Sequence, residues 1–331
     1  MASPISGQAF QTYQSVGNRE DLEDVIYQIS PVETPFMTMA GRKTAKATYH
    51  EWQTDTLGAA ATNQKIEGDD ASGGTSTPTR RLGNYCQISS KYAVVTDTQN
   101  AVDKAGRGSE MAYQVAKRLG ELKRDMELAL TQTQGSTSGS SASPRSSAGL
   151  ESWLTYTTGN ATVGNGTSIG TGGNATTPGY AAGGFAGPTD ASLTATFTVT
   201  PLKHVIANCW VSGGNPGIIM VGGTQKQVVS GFSGIATLYR EAGSTAKGTA
   251  IVGAADIYVS DFGEHRIVPN RFQRNKTALV LDMDYWSVAY LRKVSQKEIA
   301  RTGGSEKRFI DVEFCLVADN PNSSGKVADL V

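Results

Sequence analysis

The chain has 331 residues, which is enough for about two domains with a sizeable core. Its 30 Lys and Arg residues balance 30 Asp and Glu residues, so the basic excess typical of proteins that grip nucleic acid is missing. The low charged fraction of 18% and the 38 glycines favour either a surface that neighbours cover or a loop-rich protein.

The cysteines and the apolar runs of the sequence indicate the cellular compartment in which the chain is made. Cys86, Cys209 and Cys315 are far apart and odd in number, which argues against a zinc ribbon or a disulfide framework and favours a reducing environment. The first ten residues show no signal-peptide pattern, and the longest apolar runs are too short to span a bilayer. We therefore expect a soluble chain made in a cytoplasm, with no membrane partner.

The first part of the chain predicts an extended arm, a short helix and a strand. Residues 1–20 are polar and weakly patterned, as in an extended arm. Apolar residues recur at helical spacing over 22–29, and Pro31 ends that helix. Residues 46–57 are rich in Thr and aromatic residues, which predicts a strand.

A long polar connection follows this strand. Residues 58–79 contain no apolar stripe, and such a length without structure of its own is uncommon inside a compact domain. The connection is therefore either disordered or ordered by something outside the subunit. Its acids, which are Glu67, Asp69 and Asp70, lie near the tip. Basic residues lie at its base: Arg42, Lys43, Lys46, Arg80 and Arg81.

Two periodic segments come next. The alternation over 82–96 predicts a strand whose buried face is made of Leu82, Cys86, Ile88, Tyr92 and Val94. Residues 109–131 predict a helix about 35 Å long, with Ser109 as its N-cap. Its apolar stripe comprises Met111, Val115, Leu119, Leu122, Met126 and Leu130.

The polar side of this helix carries basic residues that complement the acidic tip of the connection. They are Lys117, Arg118, Lys123 and Arg124. Each group of charges alone is most simply a solvated face. Together they suggest that a loop of one subunit lies on the helix of another, where repeated contacts fix register and partner choice.

The second half of the chain starts with a loop and continues as a compact α/β unit. Residues 131–190 are dominated by Gly, Ser and Thr and cannot build a core. Thr200 and Pro201 mark a helix start, and short strands are predicted at 217–221, 251–259, 264–268, 277–281 and 287–292. The last strand, 307–317, has one face made of Ile310, Val312, Phe314 and Leu316.

No residue pattern predicts catalysis or a cofactor. The histidines have no second His or Cys at ligand spacing, and the Gly-rich stretches match no phosphate-binding motif. Asp282 and Asp284 stand two apart and could hold a metal, which leaves a metal-dependent hydrolase as a distant alternative. A solvated turn is the favoured interpretation of these two residues. The sequence therefore predicts no enzyme, no cofactor and no metal.

Five short motifs, in this order, resemble a known family. They are ISPVETPF at 29–36, YHEWQTDTL at 49–57, GLESW at 149–153, LDMDYW…AYLR at 281–292 and EFCLVADN at 313–320. The ordered set spans nearly the whole chain and resembles the SU10-like major head proteins of tailed bacteriophages. The order of arm, long hairpin, long helix and compact α/β unit also resembles the HK97-like major capsid fold.

This resemblance implies an α+β fold with four parts. They are an N-terminal arm over 1–41, an E-loop hairpin over 42–83, a P domain over 84–134 plus 287–331, and an α/β A domain over 135–286. The P domain would contain a long sheet, a long spine helix at about 109–131 and a P-loop at about 293–306. The A domain would carry the Gly/Ser/Thr-rich loop at about 131–190.

The implied function is structural. Family members assemble into hexamers and pentamers of an icosahedral shell that encloses double-stranded DNA without sequence preference. Partners would be further copies of the chain, the portal, and scaffold or decoration proteins, in a virion assembled in the host cytoplasm. The alternatives are an encapsulin-like nanocompartment shell, which shares the fold, and a phage surface adhesin that binds through the Gly/Ser/Thr-rich loop.

The resemblance also suggests which residues make contacts between subunits. On the E-loop they are Trp52, Lys65, Glu67, Asp69 and Asp70, and on a neighbour's spine helix they are the four basic residues named above. Trp52 is an expected anchor, because a Trp in a strand without a core needs a partner surface. Lys65 is included because HK97 itself cross-links an E-loop Lys to an Asn of a neighbour.

Overall fold

A computed structural model describes residues 33–55, 57–68, 74, 78–104, 106, 108–154, 184–185, 196–232, 256–301 and 303–331. These residues form helices, two larger sheets and two small two-stranded sheets, which agrees with the predicted α+β class. The predicted helix over 22–29 and most of the Gly/Ser/Thr-rich segment lie outside the described residues.

The first larger sheet, here called the long sheet, has four strands in the order β1-β11-β12-β4. Strands β11 (Trp286–Ile299) and β12 (Ser305–Ala318) form an antiparallel hairpin of two 14-residue strands. Strand β1 (Gly41–Thr44) pairs parallel with β11, and β4 (Gln87–Thr96) pairs antiparallel with β12. Residues 293–306, the predicted P-loop, form mainly the outer half of this hairpin, next to a register shift between Arg292 and Ser295.

The spine helix α3 (Glu110–Thr131) packs on one face of the long sheet. The Ser109 side chain accepts a hydrogen bond from the Ala112 N–H at 3.4 Å, so the predicted cap is confirmed. The apolar stripe faces the sheet, with Leu119 half-buried and the rest buried. Beneath it are the four predicted β12 residues, all fully buried: Ile310, Val312, Phe314 and Leu316.

The prediction for 82–96 was partly wrong. This segment is two strands, β3 (Arg80–Tyr85) and β4, separated at Cys86, whose N–H donates to Thr48 O at 2.8 Å. Beyond that break the buried residues are Ala93 and Val95, and the three apolar residues predicted to be buried are more than half exposed: Ile88, Tyr92 and Val94. The spine helix packs on β4, and the small Ala93 allows a close approach on that face.

The second larger sheet has five strands in the order β13-β10-β7-β9-β8. Their bounds are β7 (Ile218–Val221), β8 (Ile257–Ser260), β9 (Gly263–Pro269), β10 (Ala278–Leu281) and β13 (Gly325–Val327). Helices α5 (Val199–Val211) and α6 (Gly223–Ser230) contribute buried residues to its core. Strand β13 pairs with β10, so Gly325–Val327 belong to this second sheet.

The remaining elements are short. Three helices are α1 (Pro35–Met39), α2 (Asp97–Ala101) and α4 (Leu150–Trp153), and 3-10 turns cover Met283–Tyr285 and Pro321–Ser323. Strand β2 (Tyr49–Thr54) pairs with β3, and β5 (Ser136–Thr137) pairs with β6 (Gly184–Phe185). In the part of the chain that the structure describes, no helix is both long and apolar enough to cross a membrane.

Candidate functional site

The hairpin of β2 and β3, here called the E-loop hairpin, carries the most exposed large apolar side chains among the described residues. Its strands pair antiparallel, with Trp52 opposite Leu82. Residues 57–68 beyond β2 contain no helix or strand. Leu57 is 99% exposed and Ile66 is 82% exposed. A partner that covered these two side chains would remove a large apolar area from water.

The charged residues predicted for the E-loop tip are only partly described. Lys65 and Glu67 are exposed in the same stretch as Ile66. Asp69 and Asp70 lie outside the described residues. The stretch therefore offers one basic, one acidic and two apolar side chains to a partner, and the intersubunit contacts predicted for them remain predictions.

Trp52 already has partners within its own chain. Its indole N–H donates to Ala318 O at 2.9 Å, and its ring lies 5.4 Å from that of Trp153, centroid to centroid. The side chain is half-buried. Trp52 therefore fixes the base of the E-loop hairpin to the end of β12. Its contact with a neighbouring subunit remains a prediction. The exposed part of the ring would have to make that contact.

The four basic residues predicted on the spine helix fall into two pairs. Arg118 forms an ion pair with Glu121 at 2.6 Å, and the Arg124 guanidinium lies 5.7 Å from the centroid of the Phe272 ring. Lys117 and Lys123 are exposed, and within the described ranges neither has an ion-pair partner. These two lysines are therefore the better candidates for binding an acidic loop.

An open groove of about 550 Å³ runs between the spine helix and the outer half of the β11–β12 hairpin. The helix contributes mostly apolar lining, including Met111, Val115 and Leu119, and the hairpin contributes Glu306 and Arg308. Arg308 is paired with Glu306 at 2.6 Å. The groove is therefore an apolar floor with a neutralised polar rim, which suits an aliphatic side chain.

Glu127 is a fully buried carboxylate, although the helical pattern placed it on the polar side of the spine helix, opposite the apolar stripe. Its Oε1 accepts from the Phe36 N–H at 2.8 Å and from the Asn270 amide at 2.7 Å, and its Oε2 accepts from the Met37 N–H at 2.9 Å. Burial raises the pKa of this carboxyl, and these hydrogen bonds oppose that shift. Glu127 thus joins the spine helix to the first turn of α1 and to the loop after β9.

An ionic cluster built on two buried carboxylates, Asp311 and Glu313, ties β11 to β12. Arg292 donates to Glu313 Oε2 at 2.9 Å and to Asp311 Oδ2 at 2.5 Å, and Arg145 forms a further ion pair with Glu313. The hydrogen bond from Ser295 is the main cause that lowers the pKa of Asp311, with smaller effects from Arg292 and Lys297. The cluster stabilises the hairpin where its register shifts, between Arg292 and Ser295.

Asp282 and Asp284 serve a turn. Asp282 Oδ2 accepts from the Asn215 N–H at 2.9 Å, and Oδ1 accepts from the Asp284 N–H at 3.4 Å. Asp282 is therefore an N-cap that also binds the loop before β7. Among the described residues, no three His, Cys, Asp or Glu side chains are grouped as a metal would require.

The comparisons with known proteins decide the family. The model of the SU10 major capsid protein family matches residues 6–331. This chain belongs to the SU10 major capsid protein family. A major capsid protein of Escherichia phage Phieco32 is 36% identical over 138 residues, which are 41% of this chain and 38% of that relative. The matched segment thus spans about two fifths of the relative's length.

Solved structures show the fold of this capsid protein. The capsid of cyanophage A-1(L) superposes with a TM-score of 0.61 at 11% identity, covering 97% of this chain and 98% of that one. An encapsulin complex of Synechococcus elongatus PCC 7942 superposes with a TM-score of 0.52 at 10% identity, covering 94% and 92%. The predicted HK97-like fold is confirmed, and the family is a structural capsid family of the phage virion rather than an enzyme family.

Proposed function

We propose that this capsid protein is the repeating subunit of an icosahedral phage head, assembled as hexamers and pentamers around double-stranded DNA. The single observation that carries this proposal, beside the family, is the exposure of Leu57 and Ile66 on a hairpin whose base is fixed to the subunit body. Covering such side chains with a second copy gains about 1.5–3 kcal/mol for each. Repeated around a closed symmetric shell, such contacts add up.

The E-loop of one subunit docks on the spine helix of its neighbour. An aliphatic side chain of residues 57–68 enters the groove floored by Met111 and Val115. The acids near the loop tip, among them Glu67, lie against Lys117 and Lys123, which are the exposed lysines of the helix. Exposed ion pairs are each worth under about 1 kcal/mol, so here they set register while the apolar contact supplies affinity.

The packaged DNA is confined rather than bound with sequence preference. The chain carries no net charge at pH 7, so it provides little of the counterion release that drives tight nucleic-acid binding. The portal that closes one vertex, and scaffold or decoration proteins, are the further partners of this proposal. Assembly takes place in the cytoplasm of the bacterial host.

Charge reversal tests the docking mode. The double variant Lys117→Glu with Lys123→Glu is expected to lower the yield of intact heads, scored by electron microscopy and sedimentation. Adding Glu67→Lys, Asp69→Lys and Asp70→Lys should restore part of that yield. The matched control is Lys203→Glu, which reverses an exposed charge on α5. Normal heads from the spine-helix variant would overturn the docking mode.

A second candidate function is a cellular compartment that encloses protein, which the similarity to an encapsulin fold favours. The two functions differ in cargo. Shells purified after expression during phage infection should contain nuclease-resistant double-stranded DNA. Shells that instead retain a defined host protein and no DNA would support the compartment and contradict the head.

A further inference from the structure

Cys86 and Cys315 lie side by side although they are distant in sequence. Gln87 and Phe314 are the last pair of the antiparallel β4–β12 ladder, and Cys86 and Cys315 are the residues next to that pair on the side of the E-loop hairpin. Both side chains are fully buried, and the interaction with the Cys315 thiol lowers the pKa of Cys86. They share a small cluster with Ala45, Ala289 and Val317. Two thiols in contact are a potential redox pair, unlike a single buried cysteine.

The backbone geometry suits a covalent bond between them. The Cys86 N–H donates to Thr48 O at 2.8 Å and therefore does not donate to β12. If the register continues by one residue, Cys86 and Cys315 form a non-hydrogen-bonded antiparallel pair, in which Cα atoms are typically about 4.5 Å apart. Disulfides join cysteines whose Cα atoms are about 4.4 to 6.8 Å apart. The pair therefore needs little backbone movement to close.

Cys86 is also the thiol that a small oxidant would reach first. It stands where β3 of the E-loop hairpin meets β4 of the long sheet, and its Sγ lies 3.6 Å from Ala47 O. Residues 46–48, which cover it, are exposed. Local opening of a single connection would admit the oxidant. The interaction with Cys315 that lowers the pKa of Cys86 favours the thiolate needed for attack.

We propose that Cys86 and Cys315 form a modification site, a dithiol that closes to an intramolecular disulfide when the head leaves the reducing cytoplasm. This inference rests on the proposed head function. With glutathione disulfide as oxidant, the Cys86 thiolate attacks one of its sulfurs, breaks the S–S bond and releases a glutathione thiolate. The Cys315 sulfur, on losing its proton, then attacks Cys86 and displaces a second glutathione thiolate.

The electrons balance in this exchange, because the protein dithiol loses two electrons and one glutathione disulfide becomes two glutathione molecules. The new bond ties the base of the E-loop hairpin to β12, a central strand of the long sheet. Reducing conditions keep the two thiols free during folding and assembly, and oxidising conditions outside the cell favour the disulfide. The shell would thus gain a covalent tie after release.

The test uses the full chain, both as assembled heads and as unassembled subunits. Samples are incubated natively with glutathione disulfide, then unfolded in an alkylating reagent and weighed by mass spectrometry. We expect one alkylated cysteine per chain instead of three, and a non-reduced peptide map that links 86 to 315. The midpoint of thermal unfolding should rise by about 5–8 °C, and a reductant should reverse the rise, because the bond closes a very long loop.

Cys209 supplies the matched control, since it is buried in the core of the second sheet, where burial raises its pKa to about 12. Cys209→Ser should keep the link, and Cys86→Ser and Cys315→Ser should each abolish it. Two results would overturn the inference. One is alkylation of all three cysteines under conditions where amide exchange shows that residues 46–48 open. The other is a glutathione adduct that forms without the link. Intact heads that stay unlinked after incubation with glutathione disulfide refute this inference alone, whereas linked subunits that never form shells refute the head function alone.

Discussion

Two regions of the molecule differ in how their apolar side chains are covered. One is the long sheet with its spine helix, and the other is the E-loop hairpin. In the first region, Leu122, Phe314 and Leu316 are almost completely buried within one chain. In the second, Leu57 and Ile66 are exposed, and the contacts with the body that the structure describes lie at the base of the hairpin, where Trp52 donates to Ala318 O and the Asn84 amide donates to Leu316 O. The fold of the body is thus determined within the subunit, whereas we propose that another copy covers the hairpin.

The largest effect is expected in the body. Phe314→Ala should lower the free energy of unfolding by about 3–5 kcal/mol, because it leaves a cavity beneath the spine helix. Denaturant unfolding of the unassembled protein measures this change. Leu57→Ala is the matched control on the hairpin and should stay within about 0.5 kcal/mol. Equal losses for both variants would contradict the division between the two regions.

The hairpin should show its effect in assembly instead. Leu57→Ser and Ile66→Ser each remove a contact worth about 1.5–3 kcal/mol between subunits, which corresponds to about a tenfold or larger loss of affinity. Head yield by electron microscopy should therefore fall while the unfolding midpoint of the subunit is unchanged. Ser90→Ala, a small exchange on the exposed side of β4, should alter neither quantity. Full head yield from both hairpin variants would show that the neighbour does not cover them.

Glu127→Gln should destabilise the junction between the body and α1 by about 1–3 kcal/mol. A glutamine offers one carbonyl oxygen where two carboxylate oxygens accept the Phe36 and Met37 N–H groups, so a buried donor loses its partner. Thermal unfolding measures the loss. Glu121→Gln on the same helix, which is only half-buried, is the control. If Glu127→Gln left the free energy of unfolding unchanged, the carboxylate would not be needed at the junction.

The smallest effect concerns acid stability of the β11–β12 hairpin. The pKa of Asp311 is lower in the folded protein than in the unfolded chain, so its contribution is complete above about pH 4 and is lost as the pH falls through the folded value. We expect Asp311→Asn to lower the free energy of unfolding by about 1–2 kcal/mol at pH 7. Between about pH 4 and pH 2, the free energy of unfolding should fall less steeply for this variant than for the unsubstituted protein. Parallel pH profiles for the two proteins would contradict this role.

The sequence allowed the prediction of elements whose burial follows one local period. The spine helix and the buried face of β12 repeat at fixed spacing, and the structure confirms both. The same reasoning failed at β4, because the break at Cys86 depends on a hydrogen bond to Thr48. The ordered motifs indicated the family where no single residue could.

Most of the site depended on contacts between distant parts of the chain. The partners of Trp52 and Glu127 lie far away in sequence, so no periodicity could reveal them. The pairing of Arg118 with Glu121 has the local spacing of three residues and could have been anticipated. The contact of Arg124 with Phe272 could not, because the two residues belong to different elements.

Hydrogen–deuterium exchange on heads and on unassembled subunits tests the central claim most directly. We predict that the amides of residues 57–68 exchange rapidly in the free subunit and become strongly protected in the head. The amides of the spine helix around Leu122 should be protected equally in both. Protection of residues 57–68 already in the free subunit, or rapid exchange there in intact heads, would contradict the account.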